Sequence, residues 1–168
     1  MLARIREGVA YGDLDFRGHP EQIAVYLMAT NEGLVAVDPG PSSCVEAFHE
    51  TLRLFGATPG DLRHVLLTHI HLDHAGIVGS LVREHPHIRV HVHERGAPHL
   101  VDPARLLASA LRIYGDQMDV LWGAFLPVPS HNLNVLAGGE RLTLCGLHAL
   151  NSCRMEHAFR HWGHDVTS

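Results

Sequence analysis

A dense group of metal-ligating side chains follows the apolar residues 65–67. His69, His71 and His74 supply three imidazoles and Asp73 supplies one carboxylate, all within six positions. Neutral imidazole and carboxylate are ligands that borderline metals such as Zn²⁺ prefer. In an extended segment side chains alternate between two faces, so His69, His71 and Asp73 would start on one side. His74 would need a turn to join them. The spacing can serve two adjacent metals, the first on His69 and His71. The second would lie on Asp73 and His74.

The alternative interpretation is a polar loop in a histidine-rich chain. With 16 histidines in 168 residues, a chance H-x-H is expected now and then. A chance H-x-H-x-D-H is much rarer when it follows an apolar strand and precedes Ala75-Gly76 and a helical apolar pattern. A motif counts when its structural context fits, and here the context favours metal binding.

Residues 69–76 resemble the H-x-H-x-D-H signature of the metallo-β-lactamase superfamily. Residues 33–40 are similar to the strand of that family that ends in Asp-x-Gly, and residues 138–144 are similar to the strand pair before its next metal histidine. The resemblance implies an α/β fold, a layered αβ/βα sandwich in a single domain over residues 1–168. Its central motif is specific to the superfamily but not to one substrate.

The resemblance also implies ligands from later in the chain. The family adds a histidine from a Thr-Pro-Gly-His turn, then a bridging aspartate and a last histidine. His157 is in register with the first of these but lacks the Pro-Gly, so it is expected either to complete the first metal site or to lie exposed in a polar tail. The other two ligands have no counterpart.

These missing ligands suggest that the chain is a truncated or altered version of a longer family member. The apolar alternation is lost from Asn151 onward, as a C-terminus read out of frame would produce. A sandwich that lacks part of its second half would expose apolar surface on one face of its sheet. A homodimer or marginal stability is the expected consequence.

If the site is complete, the resemblance implies hydrolysis of a small ester, thioester or lactone by a zinc-activated hydroxide. One or two Zn²⁺ ions are expected, with iron or manganese as other candidates. Asp73 is the expected catalytic residue, which would hold the second metal and orient the attacking water. Asp38 would either support the ligand loop or form the turn before Pro39. Two alternatives stay open: a mononuclear iron sulfur oxygenase of the same superfamily, and a non-catalytic truncated metal-binding domain.

Composition limits the partners and the compartment. A net charge of −5 with histidine neutral argues against a nucleic-acid partner. No window reaches the roughly 18 consecutive apolar residues of a membrane span, and residues 1–8 lack the apolar core of a signal peptide. The odd set of Cys44, Cys145 and Cys153, without C-x-x-C spacing, favours reduced thiols. A cytoplasmic protein with a small-molecule substrate is therefore expected.

Hydrophobic periodicity predicts the strands that position the ligands. Alternating or continuous apolar residues favour strands, which are bounded by turn residues. On the next strand, His91 and His93 are expected at the surface or behind the metal ligands. The predicted strands cover 22–29, 33–37, 64–68 and 88–93.

Three helices are predicted between or after these strands. Ser43 with Glu46 fits a capping box at the start of the first helix, and Gly56 ends it. The alternation of strands and helices predicts a layered α/β fold. The predicted helices cover 43–55, 75–85 and 103–125, the last with a break near Gly115.

Overall fold

The computed structural model describes residues 1–139, 142–144 and 147–149. Seven strands form one mixed sheet in which spatial order follows chain order. The first four strands pair antiparallel, and β4 to β7 pair parallel. A separate hairpin joins β8 and β9. The strands are β1 (Leu2–Arg6), β2 (Val9–Asp13), β3 (Ala24–Thr30), β4 (Gly33–Val37), β5 (Leu62–Leu66), β6 (Arg89–His93), β7 (Leu133–Leu136), β8 (Leu142–Leu144) and β9 (Leu147–Ala149).

Helical crossovers connect the parallel strands, as parallel pairing requires. One helix lies between β4 and β5, two lie between β5 and β6, and three lie between β6 and β7. This architecture confirms the predicted layered α/β fold. None of the helices in the described part of the chain is long and apolar enough to cross a membrane. The helices are α1 (Val45–Phe55), α2 (Leu72–Ala75), α3 (Val78–Glu84), α4 (Ala97–Val101), α5 (Ala104–Tyr114) and α6 (Met118–Trp122).

The core lies between the sheet and these helices. Phe48 and Leu52 of α1 are fully buried against the sheet, and burial of each such side chain stabilises the fold by about 2 kcal/mol. The apolar residues at helical spacing after Gly76 are all buried, as expected for the inward face of this helix. These residues are Ile77, directly before α3, and Val78, Leu81 and Val82 within it.

Two local predictions about helix starts are wrong. Ser43 does not cap α1, because its hydroxyl donates to the backbone oxygen of Leu121 instead. The helix predicted over 75–85 is two helices, α2 and α3, and α2 already begins at Leu72. Helical backbone thus starts inside the ligand motif rather than after it.

A chain of polar side chains, of which only His91 is fully buried, crosses β5, β6 and β7 on one face of the sheet. Asn134 Nδ2 donates to His91 Nδ1 over 2.9 Å, so His91 carries its proton on Nε2 and donates to His64 Nδ1, also at 2.9 Å. His91 is only 5% exposed, which rules out the first of its two expected positions, the one at the surface. Burial, followed by the charges of His64 and Arg89, lowers the pKa of His91 to about 4.

Candidate metal centre

The ligand motif lies where a central strand ends. β5 stops at Leu66 between β4 and β6, and the carboxyl ends of such parallel strands are the usual place for ligands in α/β sheets. The backbone N–H of Asp38 donates to Leu66 O at 3.0 Å, and that of Leu67 donates to His91 O at 3.0 Å. These bonds fix the start of the loop to both neighbouring strands.

Three of the predicted ligands come together in this loop. His69, His71 and Asp73 each offer one ligand atom, and these atoms lie within 4.8 Å of one another. All three side chains are half-buried. Asp73 reaches the cluster from the first turn of α2, so the extended alternation predicted for the motif stops at His71. The donor set and spacing fit a borderline divalent metal.

His74 lies beside this cluster and contacts two carboxylates. Its Nδ1 is 3.0 Å from Asp38 Oδ2, although the N–H is poorly aligned for a hydrogen bond. Its Nε2 is 3.2 Å from Asp73 Oδ2, and its ring centre is 3.9 Å from that of His69. The Asp38 contact orients the imidazole so that Nε2 points toward the cluster, which a ligand role would need. That role stays a prediction.

The electrostatics prepare the site for a cation. Burial, followed by the charges of His74 and His71, lowers the pKa of His69 to about 4, and burial also lowers the pKa of His71. Burial opposes charge on His74, but its contacts with Asp38 and Asp73 outweigh burial and raise its pKa to about 9. Two imidazoles are thus neutral and ready to coordinate at pH 7, whereas His74 must release a proton first.

Asp38 and Thr68 position His69, and sequence reasoning missed Thr68. Asp38 Oδ1 accepts the Thr68 N–H at 2.9 Å, and Oδ2 accepts the Thr68 hydroxyl at 2.5 Å. Since that hydroxyl proton is used, Thr68 Oγ1 can only accept the Nδ1–H of His69, which lies 3.0 Å away. His69 then keeps an unprotonated Nε2 for a metal. The only sign of this role in the sequence is that Thr68 directly precedes the first histidine of the motif.

Asp38 combines both of its expected roles. It follows β4 at the turn before Pro39 with φ 48°, a left-handed conformation that is uncommon outside glycine. It is also 9% exposed and supports the loop through Thr68 and His74. The contacts of Asp38 with Thr68 and His74 offset the energetic cost of its left-handed backbone, as is common for strained residues at functional sites.

We expect Asp38→Asn to weaken zinc binding about 10- to 100-fold, the usual effect of losing an outer hydrogen-bond partner. The amide has one oxygen and no charge, so it cannot serve Thr68 and His74 together. Competition with a chromogenic zinc chelator measures the affinity. Asp61→Asn is the matched control, because Asp61 caps a short turn through Thr58. Equal affinities for the Asp38 variant and the wild type would contradict the supporting role.

The remaining predicted positions fall elsewhere. His157, Cys145 and Cys153 lie outside the described residues. Cys44 is a free, buried thiol whose pKa is raised mainly by burial, in keeping with a structural role.

Comparison with known proteins gives one consistent family. The sequence profile of the metallo-β-lactamase superfamily matches residues 18–144. The chain is 33% identical over 120 residues to a hydroxyacylglutathione hydrolase of Hamiltonella defensa, a match that covers 67% of this chain and 41% of that protein. It is 38% identical over 61 residues to an atrochrysone carboxyl ACP thioesterase of Pseudocercospora fijiensis, a match that covers 36% of this chain and 17% of that protein.

Solved structures agree with the sequence comparison. The native FEZ-1 metallo-β-lactamase from Legionella gormanii superposes with a TM-score of 0.64 at 19% identity, over 86% of this chain and 49% of that chain. At this identity the structural likeness shows the fold alone. The coverages also show that this chain spans about half the length of the Legionella protein, and less than half the length of the curated relatives that it matches.

Proposed function

Because this chain belongs to the metallo-β-lactamase superfamily, we propose that it is a metal-dependent hydrolase of a small thioester, ester or lactone. The observation that carries the proposal is the convergence of His69, His71 and Asp73 within 4.8 Å at the end of β5. The names of two relatives, a hydroxyacylglutathione hydrolase and an acyl-carrier thioesterase, favour the thioester among these substrates.

His69 and His71 would hold the first metal, with His157 as the third ligand. Asp73 and His74 would hold the second. A bound zinc ion supplies Lewis acidity that lowers the pKa of coordinated water to about 7. The half-burial of His69, His71 and Asp73 keeps the local dielectric low, which strengthens their interactions with charge that develops on the substrate.

Asp73 is the group that would orient the attacking water. Contact with His74 lowers the pKa of Asp73 even though burial opposes ionisation, so the carboxylate is charged at neutral pH. An ionised carboxylate accepts hydrogen bonds only, so it can align a water and take up its proton. In the metal-free site, His74 contacts Asp38 through Nδ1 and Asp73 through Nε2, and so fixes the direction of the Asp73 carboxylate before a metal binds.

Hydrolysis of S-acetyl-N-acetylcysteamine by zinc-loaded protein tests this function. We expect turnover that EDTA removes and added zinc restores. Asp73→Asn should lower kcat/KM by about 100-fold or more, in line with the usual contribution of a positioned acid or base. Asp61→Asn should leave kcat/KM unchanged, because Asp61 lies at an exposed turn. Fully zinc-loaded, folded protein that hydrolyses neither this thioester nor 4-nitrophenyl acetate nor γ-butyrolactone would overturn the proposal.

A further inference from the structure

The sheet has an outer face that points away from the helices. Tyr11 of β2 is paired with Tyr26 of β3. Val37 of β4 is paired with Tyr26 on one side and with Leu66 of β5 on the other. Directly paired residues point to the same side of a sheet, so these four side chains form one row across four strands. A second, shorter row lies beside it on β2 and β3. The apolar side chains of the outer face are Val9, Tyr11, Tyr26, Met28, Val37 and Leu66.

The helices pack on the opposite face of the sheet. Residues that alternate with the outer row along the strands, such as Val25, Leu27 and Ala36, belong to the main core. Every helix in the described part of the chain contributes side chains to that same core. These helices therefore leave the outer face uncovered. Yet β4 to β7 pair parallel, and parallel sheets almost always have both faces covered.

The outer face has the composition of a protein interface. Tyr11 is 38% exposed and Tyr26 is 47% exposed, with their ring centres 6.0 Å apart. The other four side chains of the face are half-buried, and none of the six carries a charge. Tyrosine and methionine are enriched, and charged residues depleted, at the centre of protein interfaces. A sheet face is also flat, whereas small ligands bind in concave sites. A protein partner is therefore favoured over a small molecule.

Charged residues of opposite sign lie at the two ends of this face. Arg6 is paired with Val9, so its exposed side chain lies on the outer side at one end. Asp13 follows Tyr11 by two positions and lies on the same side at the other end, by strand alternation. Its carboxylate is fixed there because it accepts two backbone N–H groups of the loop after β2. Val9 and Asp13 are four positions apart, about 14 Å along the strand.

A second copy of this chain matches the outer face in shape and in charge. Packed sheets lie about 10 Å apart with their strands within about 30°, an angle that arises from the twist of each sheet. Two copies of one sheet have the same twist. A two-fold axis that crosses the strands would place the neutral row of Tyr11 and Tyr26 against itself. The same axis reverses the strand direction, so it would bring Arg6 of one copy toward Asp13 of the other.

We propose that two copies of this chain pair through their outer faces, sheet against sheet, about a two-fold axis that crosses the strands. Tyr11 and Tyr26 lie at the centre of this interface, and two ion pairs between Arg6 and Asp13 lie at its rim. The metal centres of the two copies lie at opposite ends of the dimer, because the axis reverses the strand direction. The inference is independent of the proposed hydrolase function, since none of these residues belongs to the metal centre.

Sedimentation equilibrium of the 168-residue chain between about 1 and 100 μM tests the pairing. We expect a monomer–dimer equilibrium with a Kd of about 10 μM or lower, at the weak end for an interface of standard size. Tyr26→Glu places two like charges against each other near the axis, so it should raise the Kd by about 100-fold or more. Tyr26→Phe should leave the Kd unchanged. Val120→Glu, which alters an exposed apolar side chain of α6 on the helical side, is the matched control and should also leave it unchanged.

A charge reversal tests the direction of the axis. Arg6→Glu should raise the Kd by about 5-fold at low salt, because two exposed ion pairs become repulsive, and high salt should remove this difference. Arg4→Glu is the matched control, because Arg4 lies on the same strand but over the Phe55 ring on the helical side. An unchanged Kd for Arg6→Glu at low salt would overturn the proposed axis.

Three results would overturn the dimer itself. The first is a wild type that stays monomeric at about 100 μM or forms open-ended assemblies instead of a closed dimer. The second is a folded Tyr26→Glu protein that dimerises as tightly as the wild type. The third is loss of the dimer in Val120→Glu but not in Tyr26→Glu. Circular dichroism establishes that each variant is folded, and Tyr11→Glu makes the same test on the neighbouring strand should Tyr26→Glu fail to fold.

Discussion

Replacing His71 by alanine is expected to lower zinc affinity by about 100-fold and to reduce hydrolysis to background. Structural zinc in proteins binds with about 10–16 kcal/mol over four ligands, so one ligand accounts for about 3 kcal/mol. His71 contributes one of three ligand atoms within 4.8 Å, and His74, which lies beside them, is already assigned to the second metal. The loss of zinc is measured as metal content per folded chain after dialysis against a weak chelator.

Two further variants give this result its meaning. His131→Ala removes an exposed histidine at the far end of β7 and should retain the wild-type zinc content. His157→Ala tests the predicted third ligand of the first metal, and zinc loss equal to that of His71→Ala would support that assignment. A His71→Ala protein that is folded and still fully zinc-loaded would contradict the placement of the metal on this loop.

Acidification from pH 6.5 to 4 is expected to destabilise the metal-free wild type by about 3 kcal/mol more than His91→Gln. His91 is 5% exposed, and burial holds its folded pKa at about 4, below the ordinary value of 6.5. Between these two pKa values, His91 is protonated in the unfolded chain but stays neutral in the folded chain. The stabilising contribution is therefore complete above pH 6.5 and is lost as the pH falls toward 4.

Glutamine is chosen because its amide can accept from Asn134 and donate to His64 without titrating. Urea unfolding of both proteins at several pH values gives the two stability curves, and their difference removes the shared contribution of His69, whose pKa is also about 4. His131→Gln, an exposed substitution, should follow the wild-type curve. Parallel curves for the wild type and His91→Gln would show that His91 does not control the stability at acid pH.

Most of the helices and central strands of this protein could be predicted from short-range sequence patterns. The inward positions of α3 and the breaks at Gly56 and Gly115 were predictable because helix and strand periodicity and turn residues act over a few positions. β1, β2 and β7 were missed. Each is only four or five residues long, and β1 and β7 also lie at the sheet edges with side chains that are exposed or only partly buried. Such strands are defined by hydrogen bonds to a neighbour rather than by their own composition.

Contacts between distant residues could not be predicted in the same way. Thr68 and Asp38 are 30 positions apart, and His64 and His91 are 27 apart, yet each pair shares a hydrogen bond. Which polar group pairs with which depends on strand register, and β4 and β5 shift register near Leu34. The burial of His91 depends on the same register, so the local alternation of polar and apolar residues could only place it at the surface or behind the metal ligands.

The sequence by itself determined the metal-ligand motif, the α/β alternation and the family, because these depend on residue types at short spacing. Only the tertiary structure decided that Asp73 reaches the ligand cluster from a helix and that Asp38 orients His69 and His74. It alone brought the rings of Phe16, Tyr114 and Trp122 into contact from three separate parts of the chain. The geometry of the ligands depends on contacts between distant residues, which form only when the sheet and its crossover helices pack together.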